Sequence, residues 1–318
     1  MPTPPFHHRF LLPLLFMTSA VAGCGPDSVE SSLPVAESGP DASADKAPDG
    51  KAPADKAASV FPNEPAGFTT VLINHADQIP ATITWSTASA GVWRMFPTPP
   101  AVEVSSSTAP CSPPGSWRAT YWKGMLAGRG PVTVFSQGTS GKAPESRRWY
   151  VRVCIRVGRN GGYENQATGT KLGFLSISDD PAKERCAVIP RIKGDAVQAV
   201  KSTWMAEVTF ECGGMLPTIL FRQLQNLPTG RPIKSDVWQV HEWLVDVGDI
   251  NQANGSFKWW IDGKLVVDRQ GQKFRSSAVT HGVYRWRWSP TWGGVQGVRT
   301  RDDDYFVDDV YISGYGKP

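Results

Sequence analysis

Helical periodicity is almost missing from these 318 residues. Outside Pro181 to Arg185, which has room for one turn, no stretch repeats apolar residues at the spacing of a helix face. That excludes a helical bundle. Beyond the N-terminus no segment is apolar enough to span a bilayer. Cysteine is scarce, 5 in all, and none has the spacing of a zinc site. No nucleic-acid-binding motif occurs either. What the chain holds in quantity is tryptophan, 13 residues, all of them after residue 60.

The N-terminus reads as an export signal. Arg9 supplies a basic start, Phe10 to Ala22 is mostly apolar, and Val21-Ala22-Gly23-Cys24 ends the run with small residues before a cysteine. This resembles the lipobox of bacterial lipoproteins. The resemblance implies cleavage after residue 23, acylation of Cys24 and attachment of the mature protein to a membrane that it does not cross. The alternative is an ordinary secretory signal with a cysteine near the cut. Gly25 follows where an inner-membrane retention signal favours Asp, so the expected address is the outer membrane of the bacterial cell envelope. Residues 24–60 then run in Pro, Ala, Ser, Asp and Lys, with the near-repeat Asp45-Lys46-Ala47-Pro48 and Asp55-Lys56. Such a composition buries too little to offset the entropy of ordering, so it is expected to be a disordered tether. Its r.m.s. reach is roughly 30–35 Å in the flexible regime.

Residues 61–318 form the expected domain, long enough to bury about 70–75% of its unfolded surface without metal or staple. The tether is acidic, with Asp27, Glu30, Glu37, Asp41, Asp45, Asp49 and Asp55 against Lys46, Lys51 and Lys56. The positive excess of the chain, +4 overall, therefore belongs to the domain. Acidic polymers or anionic surfaces are its natural partners. Cys111, Cys154, Cys186 and Cys212 suit two disulfides in an exported protein, in any of three connectivities, with free thiols as the alternative.

Strands dominate the domain. Arg148 to Val157 sets Trp149, Val151, Val153, Ile155 and Val157 on one face and Tyr150, Arg152, Cys154 and Arg156 on the other. Trp204 to Cys212 points Glu207, Thr209 and Glu211 outward. Val237 to Val247 makes a further strand. Phe257 to Ile261, Asp262-Gly263 and Lys264 to Val267 make a hairpin, since Asp-Gly suits a type I′ turn. Val283 to Trp288 and Tyr305 to Ser313 complete the set. Many alternating strands with Gly- and Pro-rich turns imply an all-β, two-sheet antiparallel sandwich or jelly roll.

Particular motifs sharpen this. Trp238, His241-Glu242-Trp243, Trp259-Trp260-Ile261-Asp262-Gly263, Pro290-Thr291-Trp292-Gly293-Gly294 and Phe306-Val307-Asp308-Asp309-Val310-Tyr311-Ile312-Ser313 follow in order. Together they resemble the concanavalin A-like lectin/glucanase jelly roll, in its polysaccharide lyase-type and laminin-G-like form. Ala109 to Pro114, followed by Gly124 and Gly128, is similar to the same group's N-terminal strand and loop. The resemblance implies a saccharide groove on the concave sheet. Indole faces stack on sugar C–H surfaces, and Arg or carboxylate bonds hydroxyls. The outward positions nominate Arg152, Glu242, Trp260, Trp286, Trp288 and Trp292 as carbohydrate-binding residues. Core burial of the tryptophans and cross-strand Arg–Glu pairing are the structural alternatives.

Two enzymatic readings accompany binding. Glu207-Val208-Thr209-Phe210-Glu211 resembles the Glu-x-Asp-x-Glu strand of the glucanases, with Thr209 in place of the central Asp. A lyase acting on uronic-acid polymers needs a cation for the carboxylate and a base for the C5 proton, roles open to Arg152, Arg156, His241 and Tyr284. Neither an Arg-x-Glu-x-Arg run nor a Gln-Ile-His is present. Asp302-Asp303-Asp304 and Asp308-Asp309 have oxygen donors for calcium, but an acidic loop is more often solvated, so no metal or cofactor is assigned. The expectation is a surface-anchored protein that binds an acidic polysaccharide. Lyase activity is the alternative, then glycoside hydrolysis, then a non-catalytic interaction module.

Overall fold

The structure is a computed structural model. It describes residues 61–74, 93–97, 103–105, 116–136, 145–178, 185–194, 198–213, 220–224, 230–277, 279–283, 285–294 and 297–316. Cys24, Cys111, Tyr284, the export signal, the tether and residues 181–184 lie outside them.

Two eight-stranded sheets carry the domain. The first runs in the order β18 (Lys264–Gln272), β17 (Gly255–Ile261), β16 (Gln239–Asp246), β6 (Arg148–Val157), β20 (Asp303–Tyr315), β4 (Ser116–Tyr121) and β3 (Glu103–Ser105), while β1 (Thr69–Asn74) also pairs with β20. The second runs β14 (Leu220–Leu224), β13 (Ala206–Gly213), β10 (Arg185–Ile192), β9 (Phe174–Ser178), β19 (Arg285–Trp288), β5 (Val132–Ser136) and β2 (Trp93–Pro97), with β8 (Thr170–Lys171) beside β10. Two small pairs complete the fold, β7 (Tyr163–Asn165) with β11 (Ala199–Lys201), and β12 (Thr203–Trp204) with β15 (Ile233–Lys234). All these strand pairs are antiparallel. This is the all-β sandwich expected from the alternation.

Alternation fixes the inner faces. β6 turns Trp149, Val151, Val153, Ile155 and Val157 into the core, and β16 adds Trp243 and Val245. From the other sheet come Leu175, Ile177, Val188, Val208, Trp286 and Trp288. Trp117 of β4 stacks on Trp288 of β19 at 5.5 Å and 18°, which ties the two sheets together across the core. The β17–β18 hairpin turns on Asp262 and Gly263, whose φ of 50° and 74° are those of a type I′ turn. The long β20 serves two neighbours on one side, β4 along its first half and β1 along its second. A bulge between Asp308 and Tyr311, with Asp309 at φ 47°, marks the change.

Cys154 and Cys186 are both disulfide-bonded. Cys154 sits on the outer side of β6, opposite in parity to the core residues, whereas Cys186 belongs to the core cluster. They therefore do not bond to each other. In the backbone, Cys186 lies directly across from Cys212.

Candidate functional site

The outer face of the second sheet is built from residues of five strands, β8, β9, β10, β13 and β19. β10 contributes Ala187, Ile189 and Arg191, and β13 contributes Glu207, Thr209 and Glu211. Register sets Arg191 opposite Glu207, Ile189 opposite Thr209 and Ala187 opposite Glu211. On the other side, Ser176 of β9 faces Arg285 and Phe174 faces Arg287, both from β19. Lys171 lies across from Arg191.

Phe174, Ala187 and Ile189 form an apolar cluster separate from the main core. Cations lie over this floor. The Arg287 guanidinium carbon is 3.9 Å from the Phe174 ring centroid and Lys171 Nζ is 5.3 Å from it. Lys171 also pairs with Glu211 at 2.8 Å, and buried Arg191 donates to the equally buried Glu207. Thr209 Oγ1, Ser176 Oγ and Glu211 Oε1 are enclosed without a hydrogen-bond partner among the described residues. Among the described residues this face carries the cations Lys171, Arg191, Arg285 and Arg287 and the carboxylates Glu207 and Glu211. Such a set of cations suits an anionic ligand.

For retaining hydrolysis Glu207 and Glu211 would have to lean together over Thr209 until their carboxyls stand about 5–5.5 Å apart. Instead each carboxylate is engaged by its own cation, Arg191 and Lys171 respectively.

Four of the residues nominated from the sequence, Arg152, Arg156, Glu242 and Trp260, lie on the opposite surface, the outer face of the first sheet. Tyr311, Arg152, Glu242, Trp260 and Leu265 form one straight row across β20, β6, β16, β17 and β18. Glu242 is buried there, accepting from Tyr150 and, at 2.9 Å, from Asn63 Nδ2. Burial and that bond to Glu242 push the Tyr150 phenol above its ordinary pKa. Arg156 lies over the Phe306 ring at 4.0 Å and is 3.7 Å from Asp236. The N-terminal residues Phe61 to Glu64 cover the near end of the row. Phe61 packs edge-on to Tyr311 at 4.8 Å and stacks with Tyr150, with the Arg152 guanidinium 4.6 Å from its ring.

Other nominated residues are core. Trp286, Trp288 and Trp292 are fully buried, so none offers a face to a sugar. The parity of β19 is the reverse of the expected one, because Trp288 fills the space between the sheets and Arg285 and Arg287 take the outer positions. Trp292 Nε1 donates to the Glu164 carbonyl at 2.9 Å. His241 is 1% exposed and its Nδ1 accepts from Trp259 Nε1 at 3.2 Å. Burial lowers its pKa to about 3, which makes it a weak base, and encloses it out of reach of a substrate.

The acidic run also departs from a solvated loop. Asp303 is buried against Arg299 and accepts from Glu164 N at 3.0 Å, and burial raises its pKa to about 6 in spite of that arginine. Arg299, itself fully enclosed, lies over Tyr121, Trp292 and Tyr163 at 4.8, 5.0 and 5.4 Å. Asp304 takes Arg159 at 2.9 Å. This end of the sandwich is a packed ionic lock.

Lys171, Arg191 and Phe174 carry no signal of their own in the sequence. Arg285 and Arg287 stand out among the tryptophans there, and parity in Arg285-Trp286-Arg287-Trp288 sets them outward once the tryptophans are placed inward on volume.

No protein-family model matches the chain, and no curated protein matches its sequence. Solved structures do. Alginate lyase Aly36B superposes with a TM-score of 0.54 at 12% identity, over 78% of this chain and 97% of that one. The marine PL-14 alginate lyase from Aplysia kurodai gives 0.52 at 12%, over 79% and 100%. Alginate lyase vAL-1 from Chlorella virus gives 0.51 at 12%, over 78% and 100%. The fold is the jelly roll of the alginate lyases. At that identity the likeness is one of architecture, and the side chains of the outer faces are this chain's own.

Proposed function

We propose that this chain is a lipid-anchored protein of the bacterial outer membrane whose jelly-roll domain binds an acidic polysaccharide across the outer face of the second sheet. The carrying observation is the set Lys171, Arg191, Arg285 and Arg287 over the apolar floor of Phe174, Ala187 and Ile189. The uronate carboxylates meet the partly exposed Lys171, Arg285 and Arg287, while the buried Phe174, Ala187 and Ile189 support those cations from beneath. The Val21-Ala22-Gly23-Cys24 motif and the acidic spacer after it support the anchor. Titration calorimetry with alginate, pectate and a neutral glucan tests the binding. An exposed charge contact is worth about 1 kcal/mol, so Lys171→Ala with Arg287→Ala weakens acidic glycans roughly thirtyfold, most clearly at low salt. Equal affinity for the neutral glucan, or no change in the double variant, refutes the assignment. Cys24→Ser moves an anchored protein from the membrane fraction to the soluble one; retention in the membrane refutes the anchor.

Lyase activity is the second reading. It is favoured by the partly exposed Lys171, which can exchange Glu211 for a uronate carboxylate and neutralise it. A base then takes the C5 proton, the C5 electron pair forms the C4=C5 double bond as the C4–O bond breaks, and the departing oxygen takes a proton from water, leaving an unsaturated uronate end. Tyr284, next to Arg285 in the chain, is the candidate base. Growth of the ultraviolet absorbance of unsaturated ends supports this reading, and its absence over alginate, glucuronan and pectate refutes it.

A further inference from the structure

The outer face of the first sheet already holds a ligand-like segment, and that segment belongs to the chain itself. Phe61 lies flat against Tyr150 and edge-on to Tyr311, beneath the Arg152 guanidinium. Two residues on, the Asn63 amide donates to Glu242. The Glu64 carboxylate is 5% exposed and accepts from Tyr311 Oη at 2.8 Å and from Ser313 Oγ. A turn closed by Glu64 N on the Phe61 carbonyl, at 3.0 Å, brings the three side chains onto one surface. The set is a ring on an aromatic and guanidinium platform, a donor to a carboxylate, and a carboxylate held by two hydroxyls. A pyranose ring, a sugar hydroxyl and a uronate carboxylate make the same three contacts. Beyond Glu242 the row continues to Trp260, which is half-buried.

We propose that the outer face of the first sheet is a second, self-occupied site for a carboxylated saccharide, in which Phe61, Asn63 and Glu64 stand where the sugar lies. The site is separate from the cationic face of the second sheet. When the arm lifts, Tyr150, Tyr311, Arg152 and Glu242 become a stacking and hydrogen-bonding surface continuous with Trp260. Because the arm is covalently attached it competes at an effective concentration of about a millimolar, so a free saccharide gains access in proportion to the fraction of chains with the arm released.

The test uses the full chain carrying Lys171→Ala and Arg287→Ala, so that the second sheet does not contribute. Into this background go Phe61→Ala alone, and Phe61→Ala with Asn63→Ala and Glu64→Ala. Titration calorimetry with a mannuronate trisaccharide reads the affinity, with maltotriose as the neutral control. The expected result is a gain of roughly tenfold or more on arm release, restricted to the acidic sugar and lost on adding Trp260→Ala. Phe61→Ala alone, which removes one half-buried ring, reads the effect if the triple variant does not fold. Unchanged affinity in both arm variants, with a lowered Tm, overturns the proposal and leaves the arm as a structural cap. Failure of binding at the second sheet alone does not alter the comparison.

Discussion

Replacing His241 by glutamine should change how stability depends on pH far more than it changes stability at neutrality. In the folded chain burial holds the imidazole pKa at about 3, against 6.5 for the free side chain. Between those values the unfolded chain binds a proton that the folded one does not. Stability is therefore full above pH 6.5 and is lost as pH falls toward 3, at about 1.4 kcal/mol per unit. From pH 7 to pH 4.5 this group costs about 2.7 kcal/mol. Asp303 acts with the opposite sign. Its folded pKa is raised to about 6 from 3.8, so the folded chain binds the extra proton and stability rises as pH falls through that window. Two neighbouring slopes of like size and opposite sign largely cancel in the native protein between about pH 4 and pH 6. Glutamine at 241 keeps an acceptor for Trp259 Nε1, so its cost at pH 7 is about 1 kcal/mol and independent of pH. The assay is denaturant unfolding by tryptophan fluorescence at a series of pH values. His241→Gln should become more stable on acidification to pH 4.5, and Asp303→Asn less stable. Curves for His241→Gln and the native chain that run parallel would refute the reasoning.

Three further outcomes follow from the packing and the charges. Trp288→Ala removes the ring stacked on Trp117 between the sheets and should destabilise by about 3–5 kcal/mol in thermal or denaturant melts. A loss of glycan binding at unchanged stability would contradict its place in the core. Arg299→Ala strands Asp303 and Glu164 without their buried cation and should cost about 3–5 kcal/mol, whereas Arg301→Ala, at a partly exposed position, should cost about 1 kcal/mol or less. Similar losses for the two, measured as unfolding midpoints, would contradict the ionic lock.

The regular strands were legible because their periodicity is local. β6 spans the residues that alternation marks out, Arg148–Val157, and the Asp262-Gly263 hairpin turns where that dipeptide allows. β10 was hidden by Pro190 in its interior. The strand tolerates the missing N–H because its neighbour is interrupted between β8 and β9, and the Pro190 carbonyl accepts instead from Leu172 N at 2.8 Å. That strand carries Arg191, so one of the four cations of the face was hidden with it.

Sequence by itself determined the all-β class, the inward face of β6 and the hairpin, since period and turn chemistry are properties of adjacent residues. Which outer surface each charged residue reaches was decided by the tertiary structure alone. Arg152, Arg156 and Glu242 stand on one sheet and Glu207 and Glu211 on the other, with the whole core between them. Trp286 and Trp288 alternate with arginines, and either set is compatible with an outer face until the stack on Trp117 shows which side is closed. A period of two distinguishes the faces of a strand; burial against the opposing sheet decides which one meets water.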